Sequence, residues 1–375
     1  RAADAGDQPA LSLAAGQEAS RISVANGRFP PGIPRRTDVT AVAAKASWEL
    51  DIWGREAAKS QAAEADVRAA KFTAAQADLA LSAEVARLWF AVRGAREQLA
   101  FLETEFATRL REMELVEQTV AAGLIDSDPL SSARLAAAQA KVDEGLGRRR
   151  VAAAENALRA LIGAAPGESL PVAQGVAAMP GFGAGVPSEL LLRRPDLAAA
   201  AARLDAAVSR EGAARADFYP SVTLTGQAGW QADPASQIGR GAAGFWSLTP
   251  AIDLPIFDAG RREANLEAAR ARIDGSGAEW TKAVLGAFRE VEDALADLRE
   301  LALQEDLTAR VLAAVRSRLA NAEARRKAGL ADENELTLAR RDEALAARTL
   351  SMVVWERRQV AVRLAAATGG GWSAP

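Results

Sequence analysis

The chain has 375 residues, 46 Lys and Arg against 49 Asp and Glu, and a formal net charge of -3, so it carries no basic footprint for nucleic acid. It contains no cysteine and no histidine, which removes disulfides, thiolate and imidazole metal sites, and every nucleophile–histidine catalytic arrangement. No apolar run approaches the roughly 18 residues of a membrane-spanning helix.

The sequence opens at Arg1 without a methionine, a signal peptide or a lipidation cysteine, the expectation for a cytoplasmic protein or for a mature or truncated form of an exported one. A weak alternation at Ile22-Ser23-Val24 and a clear one at Ser47-Trp48-Glu49-Leu50-Asp51-Ile52 predict a hairpin, its turn at Asn26-Gly27 with Pro30, Pro31 and Pro34. At Gly54-Arg55 the period changes. From there to Ala122-Gly123-Leu124 no proline occurs, and Leu81, Val85, Leu88, Val92, Ala95, Leu99, Leu102 and Phe106 step alternately by four and three. That spacing predicts one helical rod of about 100 Å with coiled-coil-like packing.

After the Leu124 turn, Asp126, Asp128 and Pro129 supply helix-start chemistry for a return helix of about 35 residues to Ile162. A Gly/Pro-rich stretch, 163–187, then interrupts the return, and a helix of about 33 residues is expected to lead to Pro220. The two helices together match the unbroken rod, so the interruption is expected to bulge outward as a belt. Ser221-Val222-Thr223-Leu224-Thr225 and Ser247-Leu248-Thr249, continued by Ile252-Asp253-Leu254 and Ile256, predict a second hairpin around Asp233-Pro234, Gly239, Gly241 and Gly244. Gly260-Arg261 starts a second rod whose stripe is Val284, Phe288, Val291, Leu295 and Leu298; it ends at Ala328-Gly329-Leu330. A last helix from about Asn334 to Thr368 precedes Gly369-Gly370-Gly371-Trp372.

Gly54-Arg55, Ala122-Gly123-Leu124, Leu130 and Ala133-Arg134 recur 206 residues later as Gly260-Arg261, Ala328-Gly329-Leu330, Leu336 and Ala339-Arg340. The chain is therefore an internal duplication. Its expected divisions are a first repeat, 1–163 (strands about 10–53, helical hairpin 54–163), a linker, 164–186, a second repeat, 187–369 (strands about 220–257, hairpin 260–369), and a tail, 370–375.

The alternating segments admit a sheet packed on a core or a membrane barrel with its apolar face outward. The remaining chain is rods and offers no core layer, which favours the barrel. Trp48, Leu50, Ile52, Val222, Leu224, Leu248, Ile252 and Leu254 are then expected to face lipid, and Ser221, Thr223, Asp253, Glu49 and Asp51 the lumen or subunit seams. Four strands cannot close a barrel, and open edges in lipid leave backbone groups unsatisfied. Three copies would supply twelve strands. The fold class expected is mainly α with a small β part: a long antiparallel α-helical barrel with four membrane strands per protomer, closed as a trimer.

Leu190-Leu-Leu-Arg-Arg-Pro-Asp-Leu197, Ala214-Arg-Ala-Asp-Phe-Tyr-Pro-Ser221 with Leu224-Thr-Gly226, Leu254-Pro-Ile-Phe-Asp-Ala-Gly-Arg261, Trp48-Glu-Leu-Asp-Ile-Trp-Gly-Arg55 and Gly369-Gly-Gly-Trp372 resemble the outer-membrane efflux factors, TolC-like proteins of the OprM and NodT branch. The resemblance covers nearly the whole chain. It implies a homotrimeric conduit with a β-barrel in outer-membrane lipid and a periplasmic α-barrel, docked on a periplasmic adaptor protein and an inner-membrane efflux pump, with no cofactor and no enzymatic site. Aligning Pro9 with Pro220 sets Arg1 level with Gly212, so the family's inbound helix, with any signal sequence and lipidated cysteine before it, is missing from this sequence, the expectation for a fragment or for an incomplete gene product.

The periplasmic tip is expected at the turns Gly123-Leu124 and Gly329-Leu330, where helix pairs would open like an iris. Relatives often carry an aspartate ring just beyond the Leu-Thr-Leu of the return helix; here Leu336-Thr-Leu338 leads to Arg340 at that place. Asp332, Glu333, Glu335 and Asp342 stand near it, as gate acids or as solvated helix-start acids. The remaining alternatives are a type I protein-secretion duct, a metal-efflux duct, which no His or Met cluster favours, and a soluble coiled-coil scaffold.

Overall fold

A computed structural model describes residues 6, 8–21, 23, 36–170, 193–330 and 332–370. In chain order they form β1 (Ala10–Arg21), β2 (Arg36–Leu50), α1 (Arg55–Ala121), α2 (Asp128–Ile162), α3 (Pro195–Ala216), β3 (Ser221–Ala232), β4 (Gly244–Asp253), α4 (Arg261–Lys327) and α5 (Glu333–Ala367). Both rods are real: α1 and α4 each run 67 residues without a break, about 100 Å at 1.5 Å per residue. No described helix is long and apolar enough to cross a membrane.

The chain divides into two compact units, one of residues 1–72 with 198–282 and the other of 73–197 with 283–375. The first holds the sheet, an antiparallel meander in the order β1-β2-β3-β4. Register sorts its side chains by face. Leu13, Ala44, Ala228 and Trp246 lie level with one another, as do Leu11, Ala46, Gly226 and Leu248, then Trp48, Leu224 and Pro250, then Leu50, Val222 and Ile252. One face is thus apolar across all four strands. The opposite face carries Ser12, Lys45, Gln227 and Ser247 in one row and Ser47, Thr225 and Thr249 in the next.

The sequence expectations for the strands and for the helix before Pro220 are corrected as follows. The first strand is described over Ala10–Arg21, where Ala10 pairs with Ser47, and the Ile22 and Val24 of the weak alternation lie outside the described residues. The strands stop at Leu50 and Asp253, so Ile52 and Leu254 stand beyond the sheet; alternation in composition outlasts the ladder of hydrogen bonds. The helix before Pro220 is described over 22 residues from Pro195, not 33, because Arg194 breaks the helical path, and residues 171–192 lie outside the description. The Asn26-Gly27 turn, most of the linker and Gly371-Trp372 fall outside it too.

In the same unit the heptad of large residues gives way to alanine. Ala62, Ala65 and Ala69 of α1 and Ala199, Ala202 and Ala206 of α3 are buried, and Gly212 faces Ala58. Small side chains allow helices to approach closely, and Arg210–Asp66 and Arg68–Asp205 ion pairs fix the sliding position.

The second unit is built on the expected stripe. Val92 and Leu158 are buried together with Leu170 of the linker, and Val85, Leu88 and Trp89 pack against them. Leu99 and Leu102 approach Gly147 of α2 so closely that a Cβ there would meet the Leu102 Cδ1 at 2.8 Å. In the middle of α4, Ala287, Ala294 and Leu301 are buried at a spacing of seven, with Val284, Val291 and Leu298 half-buried beside them.

Candidate functional site

Three constellations account for the residues singled out by the sequence. In the first unit, three of the five motifs meet where the strands give way to helices. The Arg55 guanidinium donates to both Glu49 carboxylate oxygens at 2.7 Å and to Asp217 at 3.4 Å. The Trp53 indole N–H donates to the Pro220 carbonyl at 2.8 Å, and its ring stacks on Tyr219 at 4.8 Å between centroids. Arg262 donates to the Pro255 carbonyl at 2.9 Å and pairs with Asp258 at 3.3 Å. Gly54 and Gly260, at φ +75° and +85°, turn the chain into each rod by a backbone conformation that residues with a Cβ rarely adopt. The junction is a brace that fixes how the strands leave the helices. Sequence reasoning quoted all of these residues but Arg262, which follows the Leu254–Arg261 motif, without foreseeing that they meet.

In the second unit the remaining two motifs form a clamp. Arg194 is buried, and its guanidinium reaches both Asp196 oxygens at 3.0 and 2.7 Å, Glu290 at 2.8 Å and the Ala367 carbonyl at 3.0 Å. Burial alone would lower its pKa, but the bonds to Asp196 and Glu290 outweigh that and hold it above the usual arginine value. Gly369, at φ +92°, lies against the Arg193 carbonyl: a Cβ there would approach the oxygen to 2.0 Å. The Arg-Pro-Asp and Gly-Gly motifs therefore require each other. Glu290 belongs to this clamp, whereas its repeat equivalent Glu84 pairs with Arg87 on its own helix at 2.6 Å.

The third constellation is the pair of hairpin turns. Gly123 and Gly329 both sit at φ +71°. In each turn the glycine N–H bonds the carbonyl three residues back, Val120 or Arg326, and the following leucine N–H bonds the carbonyl five back, Thr119 or Arg325, which is a Schellman closure. Leu124 and Leu330 are left exposed at both turns. Leu115 of α1 and Glu333 of α5 line one groove of about 610 Å³, which places the two turns at the same end of this unit.

Around the second turn four of the charged residues pair with α4. Glu335 pairs with Arg325 at 2.6 Å, Glu333 with Arg326 at 3.1 Å, Asp342 with Arg318 at 3.5 Å and Arg340 with Glu323 at 3.9 Å. The Asp332 carboxylate caps α5 by accepting from the Glu335 N–H at 2.8 Å. The Arg340–Glu323 pair repeats the Arg134–Glu117 pair of the first turn, which closes at 2.8 Å. These residues are brought together as rungs between helices; none of them forms an ion pair with another of the set. Among the described residues no group of three or more acidic, histidine or cysteine side chains converges where a metal ion would fit.

A family model described as outer membrane efflux protein matches residues 1–164 and 186–370. The toluene efflux pump outer membrane protein TtgF of Pseudomonas putida is 36% identical over 269 residues, 71% of this chain and 55% of that protein. The cation efflux system protein CusC of Escherichia coli is 31% identical over 333 residues, 87% of this chain and 72% of that one. A crystal structure of a membrane protein from Pseudomonas aeruginosa superimposes with a TM-score of 0.85 at 31% identity, covering 99% of this chain and 84% of that one. The chain thus spans little more than half the length of TtgF.

Proposed function

The chain belongs to the outer membrane efflux proteins, and from that we propose that three copies form a passive exit duct through the outer membrane, fed by an inner-membrane efflux pump through a periplasmic adaptor. The observation that carries this reading is the sheet. It has one apolar and one polar face, and on its apolar face Leu11, Leu13, Trp246 and Ile252 are 78, 78, 80 and 73% exposed. Among the described residues its outer strands β1 and β4 each keep one unpaired edge. An exposed apolar face beside unpaired edges is an aggregation hazard in water, and in lipid only closure with further copies satisfies the edges. Three meanders make a twelve-stranded barrel with the Leu224 face outward and the Thr223 face lining the lumen.

The duct does no chemistry on its cargo. Among its relatives one is named for toluene and another for cations, so this scaffold serves chemically unlike substrates and the choice rests with the pump. The hairpin ends carrying Leu124 and Leu330 are the docking and gating end in this reading, with Arg318, Glu323, Arg325, Arg326, Glu333, Glu335, Arg340 and Asp342 holding the second hairpin closed. Reconstitution into planar bilayers tests the reading: cross-linking in the same preparation should give a trimer, and the trimer should conduct. A monodisperse monomer that needs no detergent would defeat it.

A further inference from the structure

The polar face of the sheet carries one lysine, Lys45, midway along β2. Register places Ser12, Lys45, Gln227 and Ser247 in a single row across all four strands, so each copy contributes one full charge at that level. The other charged residues of this face lie near its ends. Glu18 is level with Val39, six residues along β2 from Lys45, and Asp253 is level with Ser221, six residues along β3 from Gln227. At 3.3–3.4 Å per residue each is about 20 Å away. Glu49 is nearer, about 13 Å along β2, but its carboxylate is held by Arg55 at 2.7 Å through both oxygens.

The Lys45 ammonium makes no hydrogen bond or ion pair among the described residues. Its side chain is exposed, and the next row on that face is Ala14, Ala43, Gly229 and Phe245; the residues of that row on β2 and on both strands beside it are small, and the one aromatic stands two strands away, so the ammonium is uncrowded. Gly229 is compelled to be small, since a Cβ there would come within 2.1 Å of the Val42 carbonyl oxygen. A charge is screened over about 8 Å at physiological ionic strength. The acids at either end therefore do not cancel the field at the Lys45 level.

We propose that Lys45, three copies of it in the closed barrel, forms a cationic girdle that makes the lumen select for anions and gives carboxylate- and sulfonate-bearing solutes a transient binding site on the way out. This rests on the pore reading above. Anions entering the girdle exchange water for ammonium and for the hydroxyl and amide groups of Ser12, Gln227 and Ser247, while cations meet an unscreened like charge.

The test is the reversal potential of the reconstituted protein across a potassium chloride gradient. The unaltered chain should reverse on the chloride side of zero, and Lys45→Arg should keep that sign. Lys45→Gln should bring the potential towards zero, and Lys45→Glu should carry it through zero to the potassium side. The differences should shrink at high salt, as screening shortens the reach of the girdle. If all four forms conduct with the same reversal potential, the girdle is overturned while the pore stands. If none conducts under any condition, the pore reading falls and takes this inference with it.

Discussion

Two glycines with the same formal property make different demands on the chain. Gly123 at φ +71° has open space where a Cβ would point, so Gly123→Ala should cost only the left-handed backbone penalty, about 1–2 kcal/mol. Gly369 at φ +92° adds a collision with the Arg193 carbonyl, so Gly369→Ala should cost about 2–4 kcal/mol. Urea unfolding followed by helical circular dichroism checks the order; equal losses would mean the clamp yields at no cost. Glu155 offers a pH-dependent counterpart. Its bond from Arg96 at 2.7 Å holds its carboxyl below the usual range, burial opposes this, and a further bond from Arg159 adds to the lowering. The ionised group therefore stabilises the fold at neutral pH, and the contribution is lost only as pH falls through its depressed folded value. Glu155→Gln should cost about 1–2 kcal/mol at pH 7. The gap to the unaltered chain should close below about pH 4, where the unfolded carboxyl protonates. A gap that widens with acid would reverse the assignment.

At the scale of elements, the helices were legible because period and punctuation agree. The predicted returns of about 35 residues are α2 and α5 as found, each 35 long, since Pro129, Asp332, Gly163 and Gly369 mark their ends chemically. The strands were less legible. β1 reads as Ala and polar residues with only Leu11 and Leu13 apolar, so its face is set by pairing with β2, which no local pattern records. The assigned faces make opposite demands on charge. Leu224→Arg should cost about 2–4 kcal/mol near mid-bilayer and reduce trimer yield, whereas Thr223→Arg should be tolerated; equal loss would contradict the faces. At the hairpin, Arg340→Glu sets a second acid against Glu323, so bilayer conductance should rise as the closed state loosens. The exchange Arg340→Glu with Glu323→Arg should restore it, because the rung is remade with its ends swapped. Failure of that restoration would mean Arg340 acts through some other partner.

For the whole molecule, duplication explains why so much could be read from one sequence. Two copies of each signal, Gly54 with Gly260 and Gly123 with Gly329, confirm one another, and the matching φ values show the same backbone device used twice. What duplication hides is divergence: Glu84 and Glu290 occupy equivalent places, yet one pairs within its helix and the other completes the Arg194 clamp. Long-range closures of this kind depend on chain segments far apart in sequence, and periodicity carries no trace of them. The central claim, that the sheet is one wall of a lipid-embedded barrel, is testable with unusual economy because the chain has no cysteine of its own. Leu224→Cys and Thr223→Cys, each labelled with a fluorophore in outer-membrane preparations, should behave oppositely: the label at 224 quenched by nitroxide lipids and shielded from aqueous iodide, the label at 223 quenched by iodide alone. Iodide reaching both labels equally, with no lipid quenching at 224, would contradict the account.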